Sequence, residues 1–235
     1  PSERWKYMKR NINKLPNPRG HFDYEHVVMG KSTVFGEADY RLLISRDVRL
    51  QRLLEAVHIN KGTMLDIGCG GGTISNCLSY KFPKTKMYGC DISRSAIAVA
   101  RLFKPARVAF SVMKNNIFPY KNGMFDVCVC FDVLEHVPDP DAYISETKRV
   151  LKKGGVLFFA IPCEGQPFSL TWFLQKIRLG NHLTYKHVGH IHPEFTHDFI
   201  IKLMKKHGFK ITAISYSEHF LTQCVRFIRF ILPKE

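Results

Sequence analysis

An acid followed at once by a cluster of glycines is the feature of this sequence best suited to hold a ligand. The run Met64-Leu65-Asp66-Ile67-Gly68-Cys69-Gly70-Gly71-Gly72 passes from an apolar strand pattern into a helical one. Glycines at such a turn permit positive φ and let a ligand come close to the backbone. In a strand–loop–helix unit the ligand then sits beyond the carboxyl ends of the strands, where the strand order reverses. A glycine loop alone serves NAD, a phosphate or nothing at all. No Gly-Lys-Ser/Thr follows these glycines, which argues against phosphate cradling. A second acid, Asp91 in Tyr88-Gly89-Cys90-Asp91-Ile92, ends the next apolar run, where it is placed to accept both hydroxyls of a ribose. A dinucleotide site shares that acid but rarely puts one at Asp66, where a carboxylate suits a cationic ligand better than a pyrophosphate. Together the acids and the glycines point to a positively charged nucleoside cofactor, S-adenosylmethionine.

The elements that must position these residues follow from the apolar rhythm. Asp39–Val57 reads as one amphipathic helix with Arg46, Arg49 and Arg52 on its wet side. Strands are expected at 63–67, 86–91, 108–112, 125–131 and 156–161. Helices are expected at 73–81, 93–103 (with Ser93 as N-cap), 139–151 and 195–207. Gly154 is expected to cap the C-terminus of the 139–151 helix, and 209–216 reads as a further strand. Strands alternating with helices require crossover connections, which give a parallel sheet covered on both faces. The fold expected is therefore α/β, a doubly wound and mostly parallel sheet. Residues 1–40 form an arm or lid, 41–217 the main domain with a cap insertion at about 164–195 after the fifth strand, and 218–235 a C-terminal amphipathic segment.

Five motifs in this order resemble the class I S-adenosylmethionine-dependent methyltransferases, and within them the type 11 and ubiquinone-biosynthesis O-methyltransferases. Leu65-Asp66-Ile67-Gly68-Cys69-Gly70 is similar to their first motif, and Asp91 to their ribose-binding acid. Asn115-Asn116-Ile117-Phe118-Pro119 resembles the loop that holds the adenine. Leu134-Glu135-His136-Val137-Pro138-Asp139 resembles the segment after their fourth strand, and Arg149-Val150-Leu151-Lys152-Lys153-Gly154-Gly155 a later motif. The resemblance covers Met64 to Ile161 and implies a Rossmann-like fold with S-adenosylmethionine as cofactor. It implies that Asp66, Gly68, Cys69 and Gly70 border the methionine and ribose, and that Asp91 binds the ribose hydroxyls. Ile92 and Ile117 would then flank the adenine, and Phe131 would close over the methionine end. Asn116, or its neighbour Asn115, replaces the family's adenine-loop acid. For Ile92, Ile117 and Phe131, plain core packing stands as an equal alternative.

Methyl transfer needs an aligned acceptor and a dry site, and a base where the acceptor is a hydroxyl. His136, after the fourth strand, and His190, in Gly189-His190-Ile191-His192-Pro193-Glu194, are the candidate catalytic bases, with His187 and His192 nearby. A loop-shaping role competes with catalysis for His136. Asp132-x-x-Glu135-His136 is similar to the metal-binding acids of ubiquinone-type O-methyltransferases, yet the Glu-His pair also occurs in enzymes that use no metal. No metal ligand is assigned. The lone Pro162-Cys163 lacks the second Pro-Cys of RNA cytosine methyltransferases, and no Asn/Asp-Pro-Pro-Tyr follows the fourth strand.

At 235 residues, with 45% hydrophobic and 23% charged, the chain has the balance of one globular domain. It has no apolar run of about 18 residues. Its seven cysteines show no C-x-x-C pair, which fits a reducing, cytoplasmic setting. The net charge of +15 favours an anionic partner without naming one. The insertion around Phe168–Arg178 reads as a cap helix over an apolar acceptor. Phe220–Leu232 carries a narrow polar stripe of Gln223, Arg226 and Arg229, which suits either a membrane interface or a final core element. A small-molecule or lipid-like acceptor, methylated at oxygen, with peripheral membrane contact, is the expectation. An RNA methyltransferase and a non-catalytic binding module are the alternatives, and nucleic acid rests on charge alone.

Overall fold

The computed structural model describes residues 37–102, 107–114, 117–163, 172, 176, 191–192 and 194–215. Five strands, β1 (Gly62–Ile67), β2 (Thr85–Asp91), β3 (Val108–Val112), β4 (Phe125–Phe131) and β5 (Leu151–Ala160), form one sheet in the order 3-2-1-4-5, every pair parallel. The chain moves outward from β1 to β3, then returns to the other side of β1 for β4. The reversal puts a crevice at the carboxyl ends of β1 and β4. Six helices are described: α1 (Glu37–Arg46), α2 (Val48–Ala56), α3 (Thr73–Lys81), α4 (Arg94–Leu102), α5 (Pro140–Val150) and α6 (His197–Lys206).

Side chains alternate across a strand, and here both faces are apolar, as a sheet covered by helices on each side requires. Leu65 and Ile67 of β1 join Cys128 and Cys130 of β4, Tyr143 and Ile144 of α5, and Leu203 and Met204 of α6 in one core. Met64 of β1 and Val127 and Val129 of β4 face the other way, against Leu50 and Leu53 of α2, Leu78 of α3 and Ile97 of α4. The helix starts are written in the sequence. The Ser93 hydroxyl accepts the Ala96 N–H at 3.2 Å, Asp139 accepts that of Ala142 at 2.9 Å ahead of Pro140, and Thr196 accepts that of Phe199 at 3.2 Å.

Three expectations are corrected. The single helix over 39–57 is two, because Asp47 leaves helical geometry and turns its carboxylate onto the Arg49 N–H at 2.9 Å, starting α2 afresh. Arg46 and Arg52 are exposed, but Arg49 is half-buried. Gly154 does not cap α5, whose cap is Leu151 in extended geometry. It lies inside β5, at a bulge where the partner steps from Leu151 to Val156 while β4 advances from Phe125 to Val127. Its φ of 78° suits that bulge. Residues 209–215 form no strand: Phe209 and Ile211 pack on the core, but 212–215 are all exposed, so the alternation of burial stops at Ile211. Of the cap insertion, Trp172 and Lys176 are described. Both are helical, and the Lys176 ammonium lies 5.6 Å from the centre of the Trp172 ring. The arm through residue 36 and the segment 218–235 lie outside the described residues.

Gly68 and Gly154 separate backbone strain from crowding. Both hold positive φ, 74° and 78°, but a Cβ on Gly68 would clash with Val133 Cγ2, while one on Gly154 meets nothing within 4 Å. Gly154→Ala is expected to cost about 1–2 kcal/mol, the price of left-handed geometry alone. Gly68→Ala adds displacement of Val133 and should lose more in urea unfolding. Equal losses would show that the glycine loop is not packed against the turn after β4.

Candidate cofactor site

The carboxyl end of β1 carries Asp66, 2% exposed, with its side chain on the α3 side of the sheet. Ser75, in the first turn of α3, donates its hydroxyl to Asp66 Oδ2 at 2.6 Å. Burial lifts the Asp66 carboxyl to about 7, the Ser75 hydroxyl opposes the rise, and the nearby charge of Asp91 adds to it. A carboxyl so placed gains from a cation in the crevice.

Next comes the glycine turn, held by β2. The Gly68 and Cys69 N–H groups both donate to the Cys90 carbonyl, at 2.8 and 3.0 Å. The Gly70 N–H donates to Asp91 Oδ2 at 2.9 Å, while Asp91 Oδ1 accepts the Ser93 N–H at 2.8 Å. One carboxylate therefore shapes both the turn after β1 and the turn after β2. Cys69 is buried and its thiol is pushed well up by that burial, so its contribution to the site is its backbone. The Asp91 carbonyl accepts the Met113 N–H at 2.9 Å, which brings the segment after β3 alongside. In that segment Lys114 and Ile117 form a small antiparallel bridge. Ile117 is 65% exposed, so core packing does not explain it. Ile92 is half-buried against the core, and Asn115 and Asn116 lie outside the described residues.

At the end of β4, Phe131 is buried against Phe158, their rings 5.5 Å apart. The Arg49 guanidinium sits 5.9 Å from the Phe131 ring centre, chelated by Asp47 at 3.0 and 2.7 Å and ion-paired with Asp132. Asp132 holds a φ of 51°, and its N–H donates to the Ala160 carbonyl at 3.0 Å. The sequence marked Arg49 as a wet-side residue. Its placement over the crevice was legible only in the Asp47-x-Arg49 cap, which breaks the helix and turns the guanidinium inward.

The turn Leu134–His136 follows, with Leu134 and Glu135 buried and His136 half-buried. The chain returning from the insertion docks here, the Ile191 N–H on the Glu135 carbonyl at 2.9 Å. His192 is locked: Nε2 lies 2.7 Å from the Val137 carbonyl, which only accepts, so Nε2 donates. Nδ1 is 2.8 Å from Glu194, and the ring stacks on Phe195 at 4.5 Å. That leaves His136 as the described histidine at the crevice, since His187 and His190 lie outside the described residues. Of Asp132, Glu135 and His136, Asp132 is paired with Arg49 and Glu135 is turned into the interior, and among the described residues no three ligand-type side chains converge.

A five-stranded parallel sheet reversing between β1 and β4, with two acids and a glycine turn at that reversal, defines a doubly wound nucleoside-binding domain. A methyltransferase-domain family model matches residues 38–214. The chain belongs to the class I S-adenosylmethionine-dependent methyltransferases. It is 33% identical over 117 residues to a ubiquinone biosynthesis O-methyltransferase of Paraburkholderia phymatum, covering 48% of this chain and 50% of that protein. It thus spans about half the length of the curated relatives it matches. Among solved structures it is similar to a putative methyltransferase of Bacillus halodurans, with a TM-score of 0.59, 22% identity and coverage of 71% and 70% of the two chains. It is also similar to phosphoethanolamine N-methyltransferase 2 of Haemonchus contortus in complex with S-adenosyl-L-methionine, with a TM-score of 0.54, 22% identity and coverage of 83% and 46%. At these identities the structures show the fold.

Asp66 gives the domain a distinct pH response. Its folded pKa of about 7 lies above the ordinary 3.8, so its contribution to stability is complete below about pH 4 and is lost as pH rises through about 7. Asp66→Asn cannot ionise. The stability difference between the native protein and this variant should therefore shift against the native protein by up to about 1.4 kcal/mol per pH unit across that window, read by urea unfolding. A difference independent of pH would show that Asp66 is ionised throughout.

Proposed function

We propose that this chain transfers a methyl group from S-adenosylmethionine to an oxygen of a small-molecule or lipid-like acceptor. The observation that carries this reading is the unit of Asp66, the glycine turn and Asp91. It has a buried carboxyl suited to a cationic ligand and a second carboxylate at the neighbouring strand end. Asp91 would bind the ribose hydroxyls, and the backbone of Gly68, Cys69 and Gly70 would border the methionine and ribose. Ile92 and Ile117 would flank the adenine, with Asn116 accepting its amino group. Phe131 floors the methionine end, where the Arg49 guanidinium is placed to meet a carboxylate. The cofactor supplies an activated methyl group on a sulfonium, so the chain has to exclude water, align the acceptor and take up its proton.

His136 or His190 is the base in this reading, and His192 is not, because both of its ring nitrogens are engaged. Methylation at oxygen is supported by the ubiquinone biosynthesis O-methyltransferases, 33–36% identical over less than half of this chain. A lipid-like acceptor is supported by exposed Ile191 and Phe199 and by the net charge of +15, which also suits an anionic membrane surface. No helix among the described residues is long and apolar enough to cross a membrane. Six described cysteines are free, five of them buried, which supports a reducing, cytoplasmic setting.

Calorimetric titration tests the cofactor half of this proposal. S-adenosylmethionine and S-adenosylhomocysteine should both saturate the native protein. Asp91→Ala should weaken both by roughly 100-fold, since it removes charge-assisted hydrogen bonds to the ribose and the anchor of Gly70. A folded, ligand-free sample that binds neither would leave the sheet as a non-catalytic module.

A further inference from the structure

Outside the crevice, one guanidinium has all of its N–H groups spent on a single segment of chain and the acid that supports it. Arg149 lies in the last turn of α5. Its Nε donates to Glu146 Oε2 at 2.7 Å and its Nη2 to Glu146 Oε1 at 2.6 Å, a bidentate pair. The other bonds leave the helix. Nη2 also donates to the Phe118 carbonyl at 3.1 Å, and Nη1 to the Tyr120 carbonyl at 2.9 Å and to Asn122 Oδ1 at 2.7 Å. A guanidinium has five N–H donors, and here each has an acceptor. Glu146 Oε1 in turn accepts the Phe118 N–H at 2.8 Å, and the Arg149 carbonyl accepts that of Gly123 at 2.9 Å. The guanidinium beside Glu146 holds its carboxyl below the usual range, so the pair stays charged near neutrality.

The segment gripped in this way begins beside Asp91. Met113 donates to the Asp91 carbonyl, Lys114 and Ile117 pair with each other, and the Tyr120 hydroxyl donates to the Gly89 carbonyl at 3.2 Å. Exposed Ile117 therefore stands between two fixed points, the ribose acid on one side and the Arg149–Glu146 pair on the other. The part-buried pair contributes to stability on its own account. Two backbone carbonyls and one backbone N–H bound to a single charged pair do something else: they fix where the segment lies.

We propose that Arg149, braced by Glu146, is a positioning residue for the cofactor's adenine, setting the 117–120 segment against the base from the side away from the ligand. This rests on the reading that the segment borders adenine. Lysine keeps the charge at this position but supplies three donors from one atom, so it cannot hold two carbonyls, an amide oxygen and a bidentate carboxylate at once.

The test compares S-adenosylhomocysteine with S-inosylhomocysteine, in which a carbonyl oxygen replaces the adenine amino group. Calorimetry is run on the full chain, with near-UV circular dichroism confirming the fold of each variant. Arg149→Lys is expected to weaken S-adenosylhomocysteine about tenfold or more and the inosyl analogue far less, so that the native preference for adenine collapses. Glu146→Gln, which keeps side-chain volume, is expected to lose part of the preference, and it carries the test if Arg149→Lys fails to fold. Lys152→Ala, which breaks the nearby pair with Asp126, is expected to leave both affinities unchanged. Unchanged binding in Arg149→Lys, or equal loss of both ligands, would overturn the proposal and leave Arg149 a purely structural residue. A native protein that binds neither ligand would instead overturn the cofactor reading on which it rests.

Discussion

The Asp91 carboxylate accepts the Gly70 N–H with one oxygen and the Ser93 N–H with the other. Most of what the crevice can do depends on that bridge. Parallel register sets Asp66 opposite Gly89 and Ile67 opposite Cys90, so β1 and β2 end level with each other. The chain then turns over the Cys90 carbonyl, and Asp91 fixes how far the turn opens. The same residue holds the segment after β3 through its own carbonyl. Loss of the Asp91 carboxylate would therefore be felt in two turns at once, while the backbone carbonyl would still hold Met113.

Charge is arranged around this bridge with little redundancy. Asp66 and Asp91 stand close in a dry place, and burial with mutual repulsion leaves Asp66 near the midpoint of its titration at neutral pH. Arg49 brings a cation to the other side of the crevice, tied to Asp47 on its own helix and to Asp132 at the end of β4. The Arg49 charge is thus met by two carboxylates, and buried Asp66 is the group that gains from a cation. The family and the fold agree with a cationic nucleoside cofactor.

Much of this was legible in the sequence because it is local. Strand and helix order follow from the change between period-2 and period-3.6 apolar patterns, and Ser93 announces the helix it caps. Asp66, the glycines and Asp91 are readable because each lies at the end of an apolar run. What was not legible depends on partners distant in the chain. Asp47 breaking the first helix turned Arg49 from a surface residue into one that meets Asp132, 83 positions away. Gly154 looked like a helix cap because glycine after a basic last turn commonly is one, but pairing with β4 extended β5 back to Leu151 and made that glycine a bulge. Arg149 was read as part of a motif, and its grip on Phe118 and Tyr120 is invisible without the fold. The alternating pattern at 209–215 shows the converse limit: periodicity states which side chains can share a face, not whether a neighbouring strand is there to pair with.

A crystal structure of the full chain with S-adenosylhomocysteine tests the central claim most directly. The account expects the ribose hydroxyls on Asp91 with the Gly70 bond kept, the adenine covering Ile117, and the amino-acid end between the glycine turn and Arg49. A nucleoside bound elsewhere, or an Asp91 that leaves Gly70 and faces solvent, would contradict it.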